Sequence, residues 1–451
     1  MSNGRKQTIA LLGDVMMTRS ISVFREPEYL AMRDMLNTAD AVFANFESCA
    51  HPYLDDPHQQ RNEGGSYATT EPALLKDLKW LGVNMVASGS GHADDYGVKG
   101  IFDTMRYLDE AGIVHAGSGR HLAEARAPAY LETASGPIAL LAATGQFRGS
   151  ARAGDQRYDT FGHPGVNGFR HKQIYEVDSE TLAQLREIGH RIGWDAEVDR
   201  RRNQGDAGRG SNAADSYNFL GKTFRLGNKF AIKTEPNPID LRENLRQVRH
   251  ARQMADRVIA SFHGHEQGGD TLLTAERRSE IEDIADYALE YGRRCIEAGA
   301  DIFVAHGPQS PMAVEVYNGK ALLHGVGTFI FQIELMKYLP AEAYERYGLE
   351  ERATPSDFVE ARYQGGTKGH AGDPRQWEQA FAVCDFVGER LSDIRIYPID
   401  LGHKRPRSQR GRPLPAQAET ADRILKRIQR LSAKYGTEVE IRNGIGVVKV
   451  S

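Results

Sequence analysis

Apolar runs that end in Gly, Asn or Asp alternate with helical patterns along the first half of this 451-residue chain. Such runs are typical of buried strands, and their regular alternation with helices indicates a layered α/β fold. Between two of the runs, residues 100–112 have helical spacing of apolar residues and stop at Gly112, which predicts a helix packed on the sheet. The runs that we interpret as strands are residues 8–14, 41–47, 83–88 and 138–144.

The pattern weakens after about residue 150 and then returns. Residues 195–217 are polar and glycine-rich, and we expect them to form a mobile insertion. Beyond them we predict a helix over residues 241–254, strands over 257–262 and 301–305, and a hairpin over 314–323 that turns at Asn318-Gly319. A long helix between the two strands would place one set of side chains on a common face, namely Ile281, Ile284, Ala288, Tyr291 and Cys295.

The last part of the chain has a different character. It contains a strand pattern over residues 394–399, a basic proline-rich loop over 403–415 and a final strand ending in Val447-Val448. A helix with Ala421, Ile424, Leu425, Ile428 and Leu431 facing inward precedes that strand. We therefore expect a main domain over residues 1–335 and a small α+β C-terminal appendage over residues 336–451 that packs on it.

Charge and cysteine content exclude several classes of protein. Lys and Arg number 57 against 61 Asp and Glu, so the net charge of -4 does not favour nucleic acid or an anionic membrane as a partner. The three cysteines are far apart and match neither a disulfide framework nor a zinc knuckle. The N-terminal residues run into a strand pattern without a long apolar stretch, so we expect a cytoplasmic protein.

Oxygen and imidazole donors follow several of the predicted strands. An α/β scaffold builds a metal site that can activate water from donors in such positions. Residues 263–266 are the strongest local signal, because two histidines two apart in a strand point to the same side, and Glu266 could orient one of them or act as a base. The donors are Asp14, Asn45, Glu47, His92, His263, His265, Glu266 and His306.

Each donor also has a structural interpretation. Asp14 could be simply part of the turn that ends a strand, without binding a metal. Glu47 could belong to a structural ion pair, and residues 263–266 could be surface polar groups. His92 and Asp95 could pair, so that the carboxylate fixes the imidazole tautomer for general acid or base work. Asp94 or Asp95 could equally cap the N-terminus of the following helix.

Three arginines could hold an anionic substrate, because guanidinium binds carboxylate or phosphate through two parallel hydrogen bonds. They are Arg19, Arg148 and Arg170, each after a predicted strand or loop of the site edge. The basic run over residues 403–412 could reach the same edge, although charge runs usually form solvated faces.

Taken together, these motifs resemble those of the CapA family, named for poly-γ-glutamate capsule synthesis, whose domain is similar to the calcineurin-like metallophosphoesterases. The resemblance covers residues 7–335, and the order and spacing of its motifs are specific although each motif alone is weak. The motifs are residues 13–19, 39–40 with 45–47, 92 with 95–97, 111–113, 164–167, 263–266, and 299–301 running into 306–308.

The resemblance implies a four-layer αββα sandwich with a metal site on the strand-end loops of one edge. By the same resemblance Asp14 would be the first metal aspartate, Glu47 the bridging carboxylate, and His263 and His306 imidazole ligands. His92 would be the outer histidine that contacts substrate or protonates a leaving group. The chain departs from the family pattern at Gly91, where the family has a metal-ligating asparagine, at Gln309, where a histidine is usual, and at Thr328, where asparagine is common.

Our leading hypothesis is a soluble hydrolase with one or two divalent ions (Mn, Zn or Fe), acting on an amide or related bond of a small carboxylate-bearing substrate. His92 with Asp95, or His265 with Glu266, would move protons, and Asn45 with the three arginines would contact the substrate. The alternatives are a metallophosphoesterase, a metal-dependent lyase or isomerase, and a non-catalytic accessory protein of capsule or polymer biosynthesis.

Overall fold

The computed structural model describes residues 5–53, 67–205, 213–266 and 283–450. The chain forms two compact units. The first comprises residues 1–169, 242–265 and 292–451, and the second comprises residues 170–241 and 266–291. Every site residue discussed below belongs to the first unit unless the second is named.

The strands of the described residues are, in chain order, β1 (Lys6–Met16), β2 (Ala41–Asn45), β3 (Cys49–Ala50), β4 (Thr69–Thr70), β5 (Met85–Ala87), β6 (Val114–Ala116), β7 (Ser118–Gly119), β8 (Ala129–Leu131), β9 (Ile138–Thr144), β10 (Gly165–Val166), β11 (His171–Val177), β12 (Ser216–Phe219), β13 (Lys222–Leu226), β14 (Ala231–Pro236), β15 (Arg257–His263), β16 (Ile302–His306), β17 (Val314–Tyr317), β18 (Lys320–Leu323), β19 (Thr328–Phe331), β20 (Glu378–Val387), β21 (Arg390–Asp400), β22 (Leu414–Pro415), β23 (Val439–Arg442) and β24 (Ile445–Val448).

The α-helices are α1 (Pro27–Leu36), α2 (Leu75–Trp80), α3 (Gly97–Glu110), α4 (Leu122–Arg126), α5 (Ser179–Arg191), α6 (Trp194–Asn203), α7 (Pro238–Met254), α8 (Asp286–Glu297), α9 (Ala341–Glu345), α10 (Pro355–Tyr363), α11 (Gly369–Gly372) and α12 (Ala418–Ala433).

A ten-stranded sheet contains β1 near its centre, with the order β23-β24-β21-β20-β1-β2-β5-β6 and with β19 and β22 paired to β1 and β21. The strand β1 is parallel to β2 and β19, so that Asp14 lies opposite both Asn45 and Thr328. Because β1 has neighbours on both sides and is covered on both faces, nearly all of its residues are buried. This explains why its sequence is a continuous apolar run.

A six-stranded sheet has the order β17-β18-β16-β15-β9-β8. Its central strands β9, β15 and β16 are parallel, and their last residues are in register: His263 lies opposite Thr144 on one side and His306 on the other. Parallel strands in register bring their carboxyl ends to one edge, so the two histidines become neighbours although 43 positions separate their numbers.

The two faces of β1 contribute side chains to two different apolar clusters. Ala10 and Leu12 pack in one cluster with residues of α1, α2 and α3, whereas Ile9 and Leu11 belong to a second cluster. That second cluster also contains Leu140 of β9 and other residues of the six-stranded sheet. The first unit is therefore a mixed α/β structure in which side chains of the two large sheets share one core.

The C-terminal region does not form a sheet of its own, contrary to the expectation of an appendage. Strand β20 pairs antiparallel with the first half of β1, with Lys6 opposite Val387 and Leu11 opposite Ala382. Strands β21 and β24 continue the ten-stranded sheet outward from β20. Residues 336–451 therefore belong to the first unit, although their strands pair with segments far away in sequence.

The second unit contains a four-stranded sheet of order β12-β13-β11-β14 together with α5 and α6. The expected mobile insertion needs correction at its start, because α6 covers Trp194–Asn203 and carries acidic residues in its first turn and arginines in its last. These charges complement the helix dipole. Residues 206–212 of the expected insertion lie outside the described residues.

Most of the other predicted elements are confirmed. The strands at residues 8–14, 41–47, 83–88, 138–144, 257–262 and 301–305 and the helices near 100–112 and 241–254 are present with small shifts of their ends. The hairpin turns through positive φ at Asn318 and Gly319, and α12 buries the five predicted residues. In the long helix, Ile281 lies outside the described residues.

The cysteines Cys49, Cys295 and Cys384 are free and buried. None of the helices within the described ranges has the length and apolar character that crossing a bilayer requires.

Candidate metal centre

Donor side chains from both large sheets converge where the parallel strands end. Asp14 and Asn45 come from the ten-stranded sheet, and Glu47 follows β2 by two residues. His263 and His306 come from the ends of β15 and β16 in the six-stranded sheet. All five side chains are buried, with at most 1% of their surface exposed. The structure therefore brings these five residues together at one edge, and their role as metal donors stays a prediction.

Glu47, His263 and His265 form the tightest group. Oε1 of Glu47 lies 3.2 Å from Nε2 of His263 and 3.7 Å from Nε2 of His265. One ligand atom from each of the three residues lies within 4.8 Å of the others. Two ligands about 2.1 Å from one tetrahedral ion are about 3.4 Å apart, so these separations suit a shared metal. His265 is about one-third exposed, which leaves one side of the group open to solvent.

A second group lies beside the first. Asn45 Nδ2 donates to Asp14 Oδ1 at 2.8 Å, and Nδ1 of His306 lies 3.6 Å from the same oxygen. The latter distance is too long for a hydrogen bond but suits two ligands of one ion. Asn45 thus orients the carboxylate of Asp14, and its expected contact with a substrate stays a prediction.

Several buried polar atoms of this site have no hydrogen-bond partner among the described residues. Native structures rarely leave such atoms unpaired, so a set of them in one place suits a bound cation. They comprise carboxylate oxygens, an amide oxygen and imidazole nitrogens, which are the donors that zinc, manganese and iron accept. The site thus fits a divalent metal ion. The atoms are Asp14 Oδ2, Asn45 Oδ1, Glu47 Oε2, and Nδ1 and Nε2 of His306.

Burial and crowding perturb the acids and bases of the site. Burial raises the pKa of Asp14 to about 8, and the negative charge of Glu47 adds to this effect. Burial alone would also raise the pKa of Glu47, but His263 and His265 hold it well below its usual value. Burial lowers the pKa of His306 to about 3, with a further contribution from His263. His306 is therefore neutral at pH 7, the form in which imidazole binds a metal.

Comparison with known proteins finds one family that matches most of the chain. The family described as "Bacterial capsule synthesis protein PGA_cap" matches residues 8–333. The chain belongs to this family. That match ends before β20, so the C-terminal strands of the ten-stranded sheet lie beyond it.

Individual relatives of the family extend the comparison. The chain is 30% identical to "Uncharacterized protein y4sH" of Sinorhizobium fredii, over 98% of this chain and 93% of that protein. It is 21% identical to "PGA biosynthesis protein CapA" of Bacillus subtilis, over 71% of this chain and 62% of that protein. It is 27% identical to "Capsule biosynthesis protein CapA" of Bacillus anthracis, over 33% of this chain and 37% of that protein.

The expected pair of His92 and Asp95 is present in this PGA_cap member. Nδ1 of His92 lies 2.8 Å from Oδ2 of the buried Asp95. Although burial favours the neutral ring, the charge and hydrogen bond of Asp95 and the charge of Glu47 raise the pKa of His92 to about 9. His92 can therefore carry a proton at neutral pH, as a general acid requires.

The predicted substrate arginines occupy different surroundings. The guanidinium of Arg148 donates to Asp94 at 2.8 Å and to Asp95 at 3.4 Å, so it holds the partner of His92. Arg170, in the second unit, forms a two-point ion pair with Asp240. Arg19 is exposed, and its backbone N–H donates to Gln332. Contact of any of these three with a substrate stays a prediction.

His265 and Glu266, which we expected to move protons as a pair, have different hydrogen-bond and ligand partners in the structure. His265 belongs to the metal-type group with Glu47. Glu266, in the second unit, accepts a hydrogen bond of 2.6 Å from the hydroxyl of Tyr287. A role of Glu266 as a base stays a prediction.

The basic run over residues 403–412 is held by carboxylates. Arg407 pairs with Glu360, Arg410 with Glu334, and Arg412 with Glu26. These ion pairs favour the structural interpretation of the run.

Sequence reasoning missed two glutamines near the site. A side chain at Gly91 would come within 3.0 Å of Oε1 of Gln146, and that oxygen is buried without a partner among the described residues. Gln146 thus fills the space beside the position where the family pattern has asparagine. Gln379 of β20 contacts two loops of the site. Neither glutamine stands in a recognisable motif, so no sequence signal marked it.

Proposed function

We propose that the protein is a metal-dependent hydrolase with its site where β1, β2, β15 and β16 end. One observation carries the proposal: buried atoms of Asp14, Asn45, Glu47 and His306 lack hydrogen-bond partners within the described ranges, next to the group of Glu47, His263 and His265. A buried acceptor left unpaired costs about 1–3 kcal/mol. Several such atoms in one site are stabilised if they face a cation.

The ligands in this proposal are Glu47, His263 and His265, with Asp14 and His306 as further donors for the same ion or a second one. A divalent ion held there would lower the pKa of a water molecule and polarise the bond to be broken. In the fold that we propose, the two large sheets are the inner layers of an αββα sandwich, as expected of metallophosphoesterase relatives. Their shared apolar core supports this arrangement.

His92 is the group that we propose delivers or accepts the reacting proton. Its hydrogen bond to Asp95 fixes which ring nitrogen is directed away from the carboxylate, and Arg148 in turn holds Asp95. The ring keeps about one-fifth of its side-chain surface exposed, so a substrate can reach it.

The substrate in this proposal is a small carboxylate-bearing molecule that is cleaved at an amide or related bond. Gly91, Gln309 and Thr328 stand at positions where the family pattern has metal-type side chains, and this weakens the two-ion clamp that phosphoester cleavage commonly uses. The exposed Arg19, three residues after β1, is a candidate for holding the substrate carboxylate.

A screen of esters, amides and phosphoesters with the protein loaded with manganese, iron or zinc tests the reaction class. We expect turnover of an amide-type substrate that requires the metal and disappears in His263→Ala. Incorporation of labelled oxygen from water would distinguish hydrolysis from a lyase or isomerase reaction. Unchanged turnover in His263→Ala would contradict the proposal.

The names of the relatives favour a second candidate, a non-catalytic role in capsule or polymer biosynthesis with the fold kept for binding. Two Bacillus relatives are named as capsule or PGA biosynthesis proteins. A protein that binds no metal and hydrolyses nothing in the screen, while folded, would favour this candidate.

A further inference from the structure

Gln379 lies in the C-terminal strand β20, beyond the segment that matches the PGA_cap family. Its side chain is fully buried. The amide oxygen accepts a hydrogen bond of 2.8 Å from the backbone N–H of Thr328. The amide nitrogen donates to the carbonyl oxygens of Gln309 at 2.9 Å and Gln376 at 2.8 Å. Both N–H groups and the acceptor of this side chain are thus in use.

The first of these bonds fixes the segment against which Asp14 is placed. The backbone N–H of Asp14 donates to the carbonyl of Gly327 at 3.0 Å, directly before Thr328. A Cβ atom at Gly13 would come within 2.2 Å of that carbonyl oxygen. The two segments are therefore in such close contact that a shift of the Gly327–Thr328 peptide would move Asp14.

The second bond fixes the loop that follows His306. Gln309 has a φ of +54°, in the left-handed region that residues other than glycine seldom adopt. Such a conformation persists where the surrounding structure determines it, and the bond from Gln379 to its carbonyl is one such contact. The same loop carries Gly307, where an added Cβ atom would come within 2.3 Å of the carbonyl oxygen of Gly264.

The third bond joins this arrangement to a histidine of the C-terminal region. Gln376, whose carbonyl accepts from Gln379, has a side-chain oxygen 3.3 Å from Nδ1 of His370. The ring of His370 packs against Phe331 with 5.0 Å between ring centroids. Phe331 lies opposite Met16, two residues beyond Asp14. The C-terminal region therefore reaches the same end of β1 as the donors.

We infer that Gln379 is a positioning residue of the metal site: it joins the segment behind Asp14 to the loop behind His306 and thereby sets the separation of these two donors. The inference rests on the proposed function in so far as that function requires a metal. The segment that matches the family is then not sufficient for the site, because strand β20 supplies the side-chain amide of Gln379 that holds two loops of the site.

The test compares two buried glutamines of the same sheet. Gln379→Met keeps the length of the side chain and removes its hydrogen bonds. Gln7→Met is the matched control, because Gln7 is 3% exposed, lies at the opposite end of β1, and donates to the carbonyl of Gly136. The manganese and zinc affinities of both variants and of the wild type are measured by calorimetry or chelator competition, together with thermal unfolding.

We expect Gln379→Met to weaken metal binding by about 10- to 100-fold, the range found when groups that support ligands are removed. Gln7→Met should bind as the wild type does, even if both variants lose similar thermal stability. Equal metal affinity in Gln379→Met and the wild type would overturn the inference and leave the proposed function intact. A wild-type protein that binds no metal would overturn both.

If Gln379→Met does not fold, Gln379→Glu decides by the same criterion. The carboxylate can still accept from Thr328 but cannot donate to Gln309 or Gln376. Weaker metal binding than in the wild type would support the inference, and equal or tighter binding would overturn it.

Discussion

Nε2 of His263, the last residue of β15, lies 3.2 Å from Oε1 of Glu47, which follows β2 of the other large sheet and is 216 positions away. Both side chains are buried. An acid and a base in such a position form either an isolated ion pair or two ligands of one ion. A second imidazole, that of His265, lies 3.7 Å from the same oxygen, and this favours the description as ligands of one metal ion.

Substitution of Glu47 tests which of the two descriptions holds. Glu47→Gln keeps the size of the side chain but removes the charge, so we expect loss of at least about ten-fold in affinity for manganese or zinc. Glu315→Gln is the matched control, because Glu315 is also buried and accepts a hydrogen bond of 2.8 Å from a histidine, His324. Chelator competition measures the metal affinity of both variants. Equal affinities in the two variants would contradict a role of Glu47 as ligand.

The pH dependence of turnover tests the role of His92. As the pKa of His92 is raised to about 9, the ring is protonated below that pH and loses its proton above it. Activity that uses His92 as an acid should therefore fall as the pH rises through about 9. The charged groups that act on His92 are Asp95 and Glu47, which raise its pKa, and Arg148, which lowers it.

In Asp95→Asn, the fall of activity at alkaline pH (the alkaline limb) should move to lower pH, because the charge that most stabilises protonated His92 is removed. The same variant should have a kcat about 100-fold lower than the wild type. Metal content should not change. The control is Asp109→Asn, which alters an aspartate 3.3 Å from the ring of His115 on the exposed end of α3. An alkaline limb that stays in place in Asp95→Asn would show that His92 does not govern it.

Asp77 is expected to stabilise the fold above about pH 3.8 and to lose this contribution in acid. Its buried carboxylate accepts hydrogen bonds from Ser20 Oγ at 2.5 Å, from the N–H of Ile21 at 2.7 Å and from that of Ser22 at 2.9 Å. Burial alone would raise its pKa, but these bonds lower it below the usual 3.8. The contribution is therefore complete above about pH 3.8 and is lost as the pH falls through the lower folded-state pKa.

Urea denaturation of Asp77→Asn measures this contribution. We expect a loss of about 1–3 kcal/mol in the free energy of unfolding at pH 7, with the difference from the wild type narrowing below pH 3.8. Asp34→Asn, at a side chain that is 65% exposed, should change stability by less than about 0.5 kcal/mol. A difference that widens as the pH falls would contradict the sign of the pKa shift.

The close approach of two loops at Gly307 makes this glycine sensitive. A Cβ atom there would come within 2.3 Å of the carbonyl oxygen of Gly264, between His263 and His265. Gly307→Ala should therefore displace that segment, weaken metal binding and reduce stability by about 1–3 kcal/mol more than a control. Gly112→Ala is the control, since Gly112 also has positive φ but has nothing within 4 Å of the added atom. Similar losses in both variants would show that strain at positive φ, and not the loop contact, is responsible.

The placement of the candidate donors could be predicted from the sequence because it depends on local pattern. A parallel strand that ends in a donor places it at the sheet edge, so Asp14, His263 and His306 could be grouped from three separate strand patterns. The partner of His92 could be predicted for a similar reason, since Asp95 follows it by only three residues.

The remaining features depend on contacts between distant segments. The pairing of β20 with β1 joins Asp385 to Thr8, 377 positions apart, and no local pattern specifies it. The ion pair of Arg148 with Asp94 likewise arises from tertiary packing, so a residue expected to hold substrate holds an aspartate. The same reasoning applies to Gln379, whose importance lies in the two loops that it joins.

Elemental analysis of the protein, purified without chelator or an affinity metal, tests the metal site most directly. The account predicts about one or more equivalents of manganese, iron or zinc per chain, and their loss in His263→Ala with the fold retained. No bound metal in the folded wild-type protein, even after incubation with each of the three ions, would contradict it.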